Sequence, residues 1–554
     1  MTITEAPPET ATVATDAPDP ATGLYDLVTT GDHKKLGAMY IGLALAFGAA
    51  LTVVGVVVGL ERIDLASVDL YNAFDQFVQA WQSYAVGLVF LVVVPLLLGL
   101  ATAVVPLQVG SPAIAFPRAA AAAFWGWLIG GGLLLASFIV DGGFGTPGGL
   151  ADPEPTVLSI VSLAMVVISL GLASVCVATT VIGLRPAGMK LHRVPLFSWS
   201  MLVASVIWLA SFGVLAANLV WLYVQFRYQY GEPIAGTAEA TEVQPGMWAQ
   251  IQWAFSGPQA FAWIIPVLGI AGETVPVAAR LRQRSYPVLL VAIGAFGLLS
   301  FSAYAQPAFS RGGLQVTEQA VFVGQSFLLI LPVLVVFGAL ADSLRIGARD
   351  VGAPRSWLVA SVLGVLVLLV GVVLTAVRAV DDFALVGTSA DSGTLHLAIG
   401  AGLLGAAGGL AFWTPKLVGR QLTPLTMVGA LALAGGALAG GGPDFISGLL
   451  DQPFLAGDGY IADDGVEALN LLSMIGSVLL AVGVIAVLVD VVGASVRGRA
   501  DDAADDPWGG HTLEWATSSP PPPSNFSAPV APVRSECPLL DATESEPDDD
   551  QEES

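Results

Sequence analysis

Residues 83–118 read SYAVGLVFLVVVPLLLGLATAVVPLQVGSPAIAFPR, with Tyr84 near one end and Arg118 at the other as the only ionisable side chains. The run 83–106 is long enough to carry an α-helix across a hydrocarbon core of about 30 Å. Ionisable groups are costly in lipid and persist there mainly for function. A helix without them reads as packing, and its one phenol, Tyr84, becomes the residue to explain.

The rest of the chain has the same character. Of 554 residues, 55% are hydrophobic and 12% charged, and the mean hydropathy is +0.76. These values exclude an ordinary soluble globule. Twelve apolar runs are long enough to span: 37–60, 83–106, 119–141, 155–183, 196–224, 247–276, 286–309, 319–341, 356–379, 393–414, 423–441 and 466–492. Their length and their Ala, Gly and Leu content predict helices, since barrel strands would alternate over about 10 residues. Three regions follow: a disordered segment 1–23, a twelve-helix membrane domain 24–498, and a tail 499–554 with an acidic, disordered end from 541. Residues 1–23 hold no basic residue, so no cleavable leader is expected and the first helix serves as the insertion signal.

Basic residues set the expected orientation. Seventeen of the 21 lie before the first helix, in the even-numbered connections or in the tail; only Arg62, Arg227, Arg311 and Arg378 lie in odd-numbered connections. That asymmetry places both termini in the cytoplasm. The odd connections carry acids instead, among them Asp381, Asp382, Asp391, Asp463 and Asp464. These are read as solvated groups or as a docking surface for a cationic partner. Cys176 falls in the fourth helix and Cys537 in the tail, so they cannot pair, and no Cys-rich metal site is available. No basic patch supports nucleic-acid binding.

Six signatures follow in order: TTGDHKKLGAMYI (29–41), PLLLGLATAVVPLQVGSPAIAFPRA (95–119), LRPAGMKLHRVPLFSWSMLV (184–203), WAFSGPQAFAWIIPVLGI (253–270), FWTPKLVGRQ (412–421) and DPWGGHTLEWATSSPPPPSNF (506–526). Together they resemble subunit I of the haem–copper (cytochrome c) oxidases over roughly residues 24–540. The resemblance implies an all-α, polytopic, twelve-helix bundle in the plasma membrane. It also implies aerobic electron transport to O₂ with proton pumping, a low-spin haem, a high-spin haem and a copper ion.

That family ligates its metals with six intramembrane histidines, imidazole binding Fe or Cu firmly without a buried charge. This chain holds four histidines, His33, His192, His396 and His511, and only His396 falls inside an expected membrane helix. Carried over residue by residue, the second-helix haem ligand becomes Tyr84. The Gly-His-Pro-Glu motif of the sixth helix becomes Ser256-Gly257-Pro258-Gln259, with Phe261 at the position of its Tyr. The His-His pair of the seventh becomes Gln306-Pro307. The His-Phe-His of the tenth falls on Gly393-Thr394-Leu395, and His396 meets it only after a one-residue shift. The proton-uptake aspartate is Ala113, the channel lysine is Val336, and residues 435–470 contain no Arg to hold propionates.

The expectation is therefore a redox-inactive relative, a pseudoenzyme with no haem or copper. It would act as an accessory or structural subunit beside subunit II- and III-like chains and lipid. His396 is kept as the one candidate haem ligand. Two alternatives remain at this stage: an active terminal oxidase carrying haem and copper, and a transporter using the vacated core through Gln259 and Gln306. Gln325 is read with them as an interhelical bridge, and Glu273 as pairing with an Arg such as Arg280. The glycines and alanines of 400–412 predict close helix approach over the cofactor volume.

Overall fold

The computed structural model describes residues 24–63, 70–71, 73–145, 153–228, 247–304, 316–347, 355–455, 464–501 and 503–545. The expected segment 1–23, the tail end 546–554, Gln306-Pro307, Arg311, Arg349 and Asp463 lie outside the described residues. Among the described residues the chain is built from helices, with a single isolated β-bridge between Thr388 and Pro453.

Ten helices among the described residues are long and apolar enough to cross a membrane: His33–Glu61, Phe74–Gln108, Pro117–Ile139, Glu154–Gly183, Leu196–Val224, Gln319–Ile346, Ser356–Arg378, Ala390–Val418, Leu425–Leu449 and Gly465–Arg497. They are numbered here as segments 1–5 and 8–12. Segments 6 and 7 occupy the remaining two expected spans but are shorter as helices. Segment 6 is broken between residues 247 and 265 and ends in Pro266–Ala279. Segment 7 is Tyr286–Ser300, where Phe301 turns extended. At 1.5 Å per residue these helices are about 20 Å long. Pro258 and Pro266 bring no backbone N–H, which divides segment 6 into short pieces whose carbonyls need other donors. Trp263 and Trp208 supply two of them, donating from Nε1 to Ala254 O at 2.7 Å and Ala262 O at 2.6 Å.

Consecutive segments pack side by side, and segment 12 returns against segment 1. Segments 2 and 10 are buried along their whole apolar windows and form the centre. Segment 2 passes through a π-helical turn, Leu88–Val93, and Trp127 Nε1 donates to Phe90 O within it at 3.1 Å. Segment 10 is thin enough for a central position: a Cβ on Gly402 would meet Val93 at 2.6 Å, and one on Gly405 would meet Val267 at 2.5 Å.

Two of the boundaries that differ from the sequence reading bear on the site. Segment 11 runs to Leu449 with Pro443 inside it, not to 441, and segment 10 begins at Ala390, not at 393. In a bilayer, backbone groups must bond within the helix, so glycines and a proline that would end a soluble helix do not end this one. The tail packs on the face where segment 1 starts and segment 12 ends. Its Pro538–Ser545 is helical, so the stretch expected to be disordered from 541 is ordered to 545.

Candidate functional site

The one imidazole of the core and the phenol of the opening stretch meet. Tyr84 Oη lies 2.8 Å from His396 Nε2, both side chains buried. Tyr84 lies flat against segment 1, where a Cβ on Gly55 would come within 2.4 Å of its ring. On the other side, a Cβ on Gly440 of segment 11 would meet the His396 ring at 3.1 Å. Segments 1 and 11 thus press on the pair from both sides.

A charged network continues from it. His396 Nδ1 stands 4.0 Å from Asp444 Oδ2 of segment 11, too far for a direct hydrogen bond. Asp444, 1% exposed, pairs with Arg62 just beyond segment 1. Arg62 Nη1 donates to Oδ2 at 3.3 Å, while Nη2 approaches Oδ1 at 3.0 Å and donates to Asn470 Oδ1 at 3.1 Å. A second buried pair, Arg378 and Asp391, lies on the same face, with Gly387 N–H donating to Asp391 at 3.0 Å. Asp391 is therefore not the solvated loop acid that the sequence suggested, because segment 10 begins before it. Asp381 and Asp382 are exposed.

Around the sixth-helix stretch that the resemblance aligns with the Gly-His-Pro-Glu motif, the structure has amides and aromatics. Gln259 Nε2 donates to Ser211 Oγ at 2.8 Å and its Oε1 accepts from Ser302 N–H at 2.9 Å, so it bridges segments 5, 6 and 7. Gln325 donates to the carbonyl of Phe301 at 2.7 Å. Phe261 is fully buried. Phe90, Phe212 and Phe255 surround this region with Trp263, which stacks on Phe212 at 5.2 Å and meets Phe90 edge-on at 5.1 Å.

The residues present can be tested against a haem. Two axial donors on one iron stand about 4 Å apart, at about 2 Å per metal–nitrogen bond. Tyr84 and His396 are 2.8 Å apart and joined by a hydrogen bond, with Gly55 closed against the tyrosine ring. This donor pair does not fit an iron between its atoms. The other histidines are elsewhere: His33 bonds Thr102 O at 3.0 Å at the start of segment 1, His192 is exposed, and His511 is buried in the tail. Among the described residues no three His, Cys, Asp or Glu side chains converge as a metal site.

On the face bearing the tail, Glu273 does not pair with Arg280 as expected; its carboxylate accepts the Phe197 N–H at 3.3 Å, and Arg280 is exposed. The structure adds a carboxyl that the sequence reading passed over. Glu514 of the TLEW stretch is fully buried and accepts from Gln108 Nε2 at 3.0 Å and Trp413 Nε1 at 3.1 Å. Burial pushes its carboxyl above the ordinary range. Asp444 was missed because the expected helix stopped short of it.

The comparisons with known proteins agree with this architecture. The family model described as Cytochrome C and Quinol oxidase polypeptide I matches residues 35–479. Cytochrome c oxidase subunit 1 of Bacillus subtilis is 31% identical over 523 residues, covering 91% of this chain and 81% of that one. Cytochrome c oxidase subunit 1 of Corynebacterium efficiens is 30% identical over 550 residues, covering 93% and 89%. A chain of a heme-copper terminal oxidase dimer, solved by cryo-electron microscopy, shares the fold with a TM-score of 0.67 at 15% identity. The match covers 84% of this chain and 85% of that chain.

Proposed function

We propose a function from this premise: the chain belongs to the cytochrome c and quinol oxidase polypeptide I family and is a multi-pass membrane protein. Members of that family normally bind haem and copper. Our reading is that this member is redox-inactive. It serves as an accessory or structural subunit of a respiratory complex in the bacterial plasma membrane, with both termini in the cytoplasm. Its partners in this reading are subunit II- and III-like chains and lipid, with Asp381 and Asp382 offering an acidic outer surface to a cationic partner.

One observation carries the reading. The direct Tyr84–His396 hydrogen bond of 2.8 Å joins the residue at the second-helix haem-ligand position to the one candidate haem ligand, which meets the tenth-helix pattern after a one-residue shift. The supply of donors supports it independently, since four histidines cannot fill six ligand positions. No catalytic step is derived through haem or copper, because the residues do not fit them. What this chain's own residues do is hold helices together. Tyr84 and His396 join segments 2 and 10, Arg62 and Asp444 join the end of segment 1 to segment 11, and Gln259 joins segments 5, 6 and 7.

The test is a reduced-minus-oxidised optical spectrum with iron and copper analysis on the protein purified from its native membrane. Absence of a haem band, with iron and copper well below one per chain, is expected. Two haems and one copper per chain would restore the active terminal oxidase, which the names of the relatives favour. Gentle detergent extraction tests the partners: an oxidase subunit II or a histidine-complete subunit I should co-purify.

A further inference from the structure

We propose that Glu514 is a proton-binding latch that holds the carboxy-terminal segment 499–545 against the membrane bundle and loosens it as the pH on that face rises. The geometry is specific. Glu514 enters the bundle from the tail, is fully enclosed, and places Oε1 between two neutral donors, Gln108 of segment 2 and Trp413 of segment 10. Gln108 is itself fixed by Ser198 Oγ of segment 5, which donates to its Oε1 at 2.7 Å. The second carboxyl oxygen, Oε2, is buried without a hydrogen-bond partner. Gln108, Thr512 and Trp413 favour the anion, but burial outweighs them; an anion would leave Oε2 without a protein donor, whereas a neutral acid carries its proton there.

The charged groups facing it make the balance clear. Glu273 of segment 6 faces it as a second acid and disfavours the anion. Lys416 of segment 10 is the facing cation, but its ammonium is taken by the carbonyls of Asp505 at 3.1 Å, Thr517 at 2.6 Å and Ser518 at 3.4 Å, and forms no ion pair with Glu514. Asp505 and Asp506 of the tail act on Lys416. His511, three residues before Glu514, is held neutral by burial.

Docking therefore takes place with Glu514 protonated, and release to water returns it to an ordinary acid that gives up its proton. The sign follows. The docked form has the raised pKa, so docking is strongest below the ordinary glutamate value. It weakens as pH rises from there through the raised value, by up to about tenfold per pH unit for one proton. Other anchors remain throughout: Lys416 on the tail carbonyls, the Arg282–Asp541 pair, and Val533 N–H on Ala187 O at 2.9 Å. The latch thus modulates release and does not act alone.

Cys537 gives the readout, because it is buried in the docked tail while Cys176 is buried in segment 4. Full-length protein in nanodiscs is labelled with a maleimide from pH 7.5 upward, a range in which His511 is essentially neutral both docked and released. The rate is divided by that of Glu514→Gln at each pH, which cancels the titration of the thiol itself. The ratio is expected to climb up to about tenfold per unit. A flat ratio would assign any pH response to Lys416 or to the thiol and overturn the proposal. Gln108→Leu provides a second arm if Glu514→Gln does not assemble. Losing a donor to the carboxylate raises the docked value further, so the climb in labelling should start at the same pH and level off at a higher one; levelling at the same or a lower pH would likewise overturn it.

Discussion

Consider the ion pair that the sequence hid. Arg62→Leu removes the guanidinium and leaves Asp444, 1% exposed, with no directed partner beyond a histidine nitrogen at 4.0 Å. Breaking a buried pair by deleting one partner costs about 3–5 kcal/mol, because the remaining charge keeps its desolvation penalty without compensation. Asp444→Leu should cost less, toward the lower end of that range. Its orphaned Arg62 is 12% exposed and keeps Asn470 Oδ1 at 3.1 Å, so it can turn toward water. The double variant Arg62→Leu/Asp444→Leu removes both penalties and should lie within about 1–2 kcal/mol of the wild type, as apolar replacement of a buried pair is often near neutral. The assay is reversible unfolding in mixed detergent–SDS micelles followed by helix circular dichroism. The expected order of stability is wild type, double variant, Asp444→Leu, Arg62→Leu. If the double variant is as unstable as the sum of the singles, the two groups are not coupled and the pair is not what joins segment 1 to segment 11.

Other outcomes follow from single contacts. Tyr84→Phe leaves His396 Nε2 buried without its partner and should cost about 1–3 kcal/mol in the same assay; an unchanged midpoint would mean the hydrogen bond is not formed. Burial holds His511 down at about 4, so its contribution to tail docking is fully present above its ordinary value of 6.5 and is lost as pH falls from there through about 4. The ratio of tail nicking in the wild type to that in His511→Asn, which cancels the opposite response of Glu514, should therefore rise across that acid range. Gly402→Val puts a side chain where a Cβ already meets Val93 at 2.6 Å and Ile264 at 2.7 Å, so it should destabilise by at least about 1–3 kcal/mol. Gly42→Val meets nothing within 4 Å of its Cβ and should have little effect beyond helix propensity.

The bundle was legible because lipid imposes so strong a rule on length and hydropathy that all twelve segments stand out in the sequence. The polar face of the site was less legible, for a physical reason that acts twice. Gly440–Gly442 with Pro443, and Gly387 with the polar run 388–392, look like helix ends by the rules of soluble proteins. In hydrocarbon the backbone has no alternative donors, so both helices continue and carry Asp444 and Asp391 inside with them. Asp444 and Asp391 are each engaged by an arginine. Glu514 was passed over for a different reason: a tail rich in Pro, Ser and Asp reads as solvated, and only the tertiary fold buries one of its acids. Tyr84 and His396 were each identified from sequence, but their contact depends on how closely segments 2 and 10 approach, where Gly402 lies against Val93.

That dependence leads to a last prediction. If loss of a ligand were the whole difference from a haem-binding relative, Tyr84→His would supply the missing imidazole opposite His396 and restore a six-coordinate haem. The packing argues otherwise. Iron between two imidazole nitrogens needs a gap of about 4 Å, against 2.8 Å between the present atoms. The macrocycle also needs lateral room, beside a Gly55 that already touches the residue-84 ring and a Gly440 against the His396 ring. Gly440 cannot withdraw, because a Cβ on Gly476 of segment 12 would lie 2.2 Å from its nitrogen, so segments 11 and 12 are already in backbone contact. Opening the site would mean separating at least three helices whose approach is fixed by glycine contacts, not moving one side chain. Tyr84→His, expressed with haem supplied and purified, should therefore show no low-spin haem bands, with the two histidines hydrogen-bonded to each other. A stoichiometric bis-imidazole spectrum from this single change would show that the helices part easily. It would remove the closed core as support for the redox-inactive reading, leaving only the missing ligands.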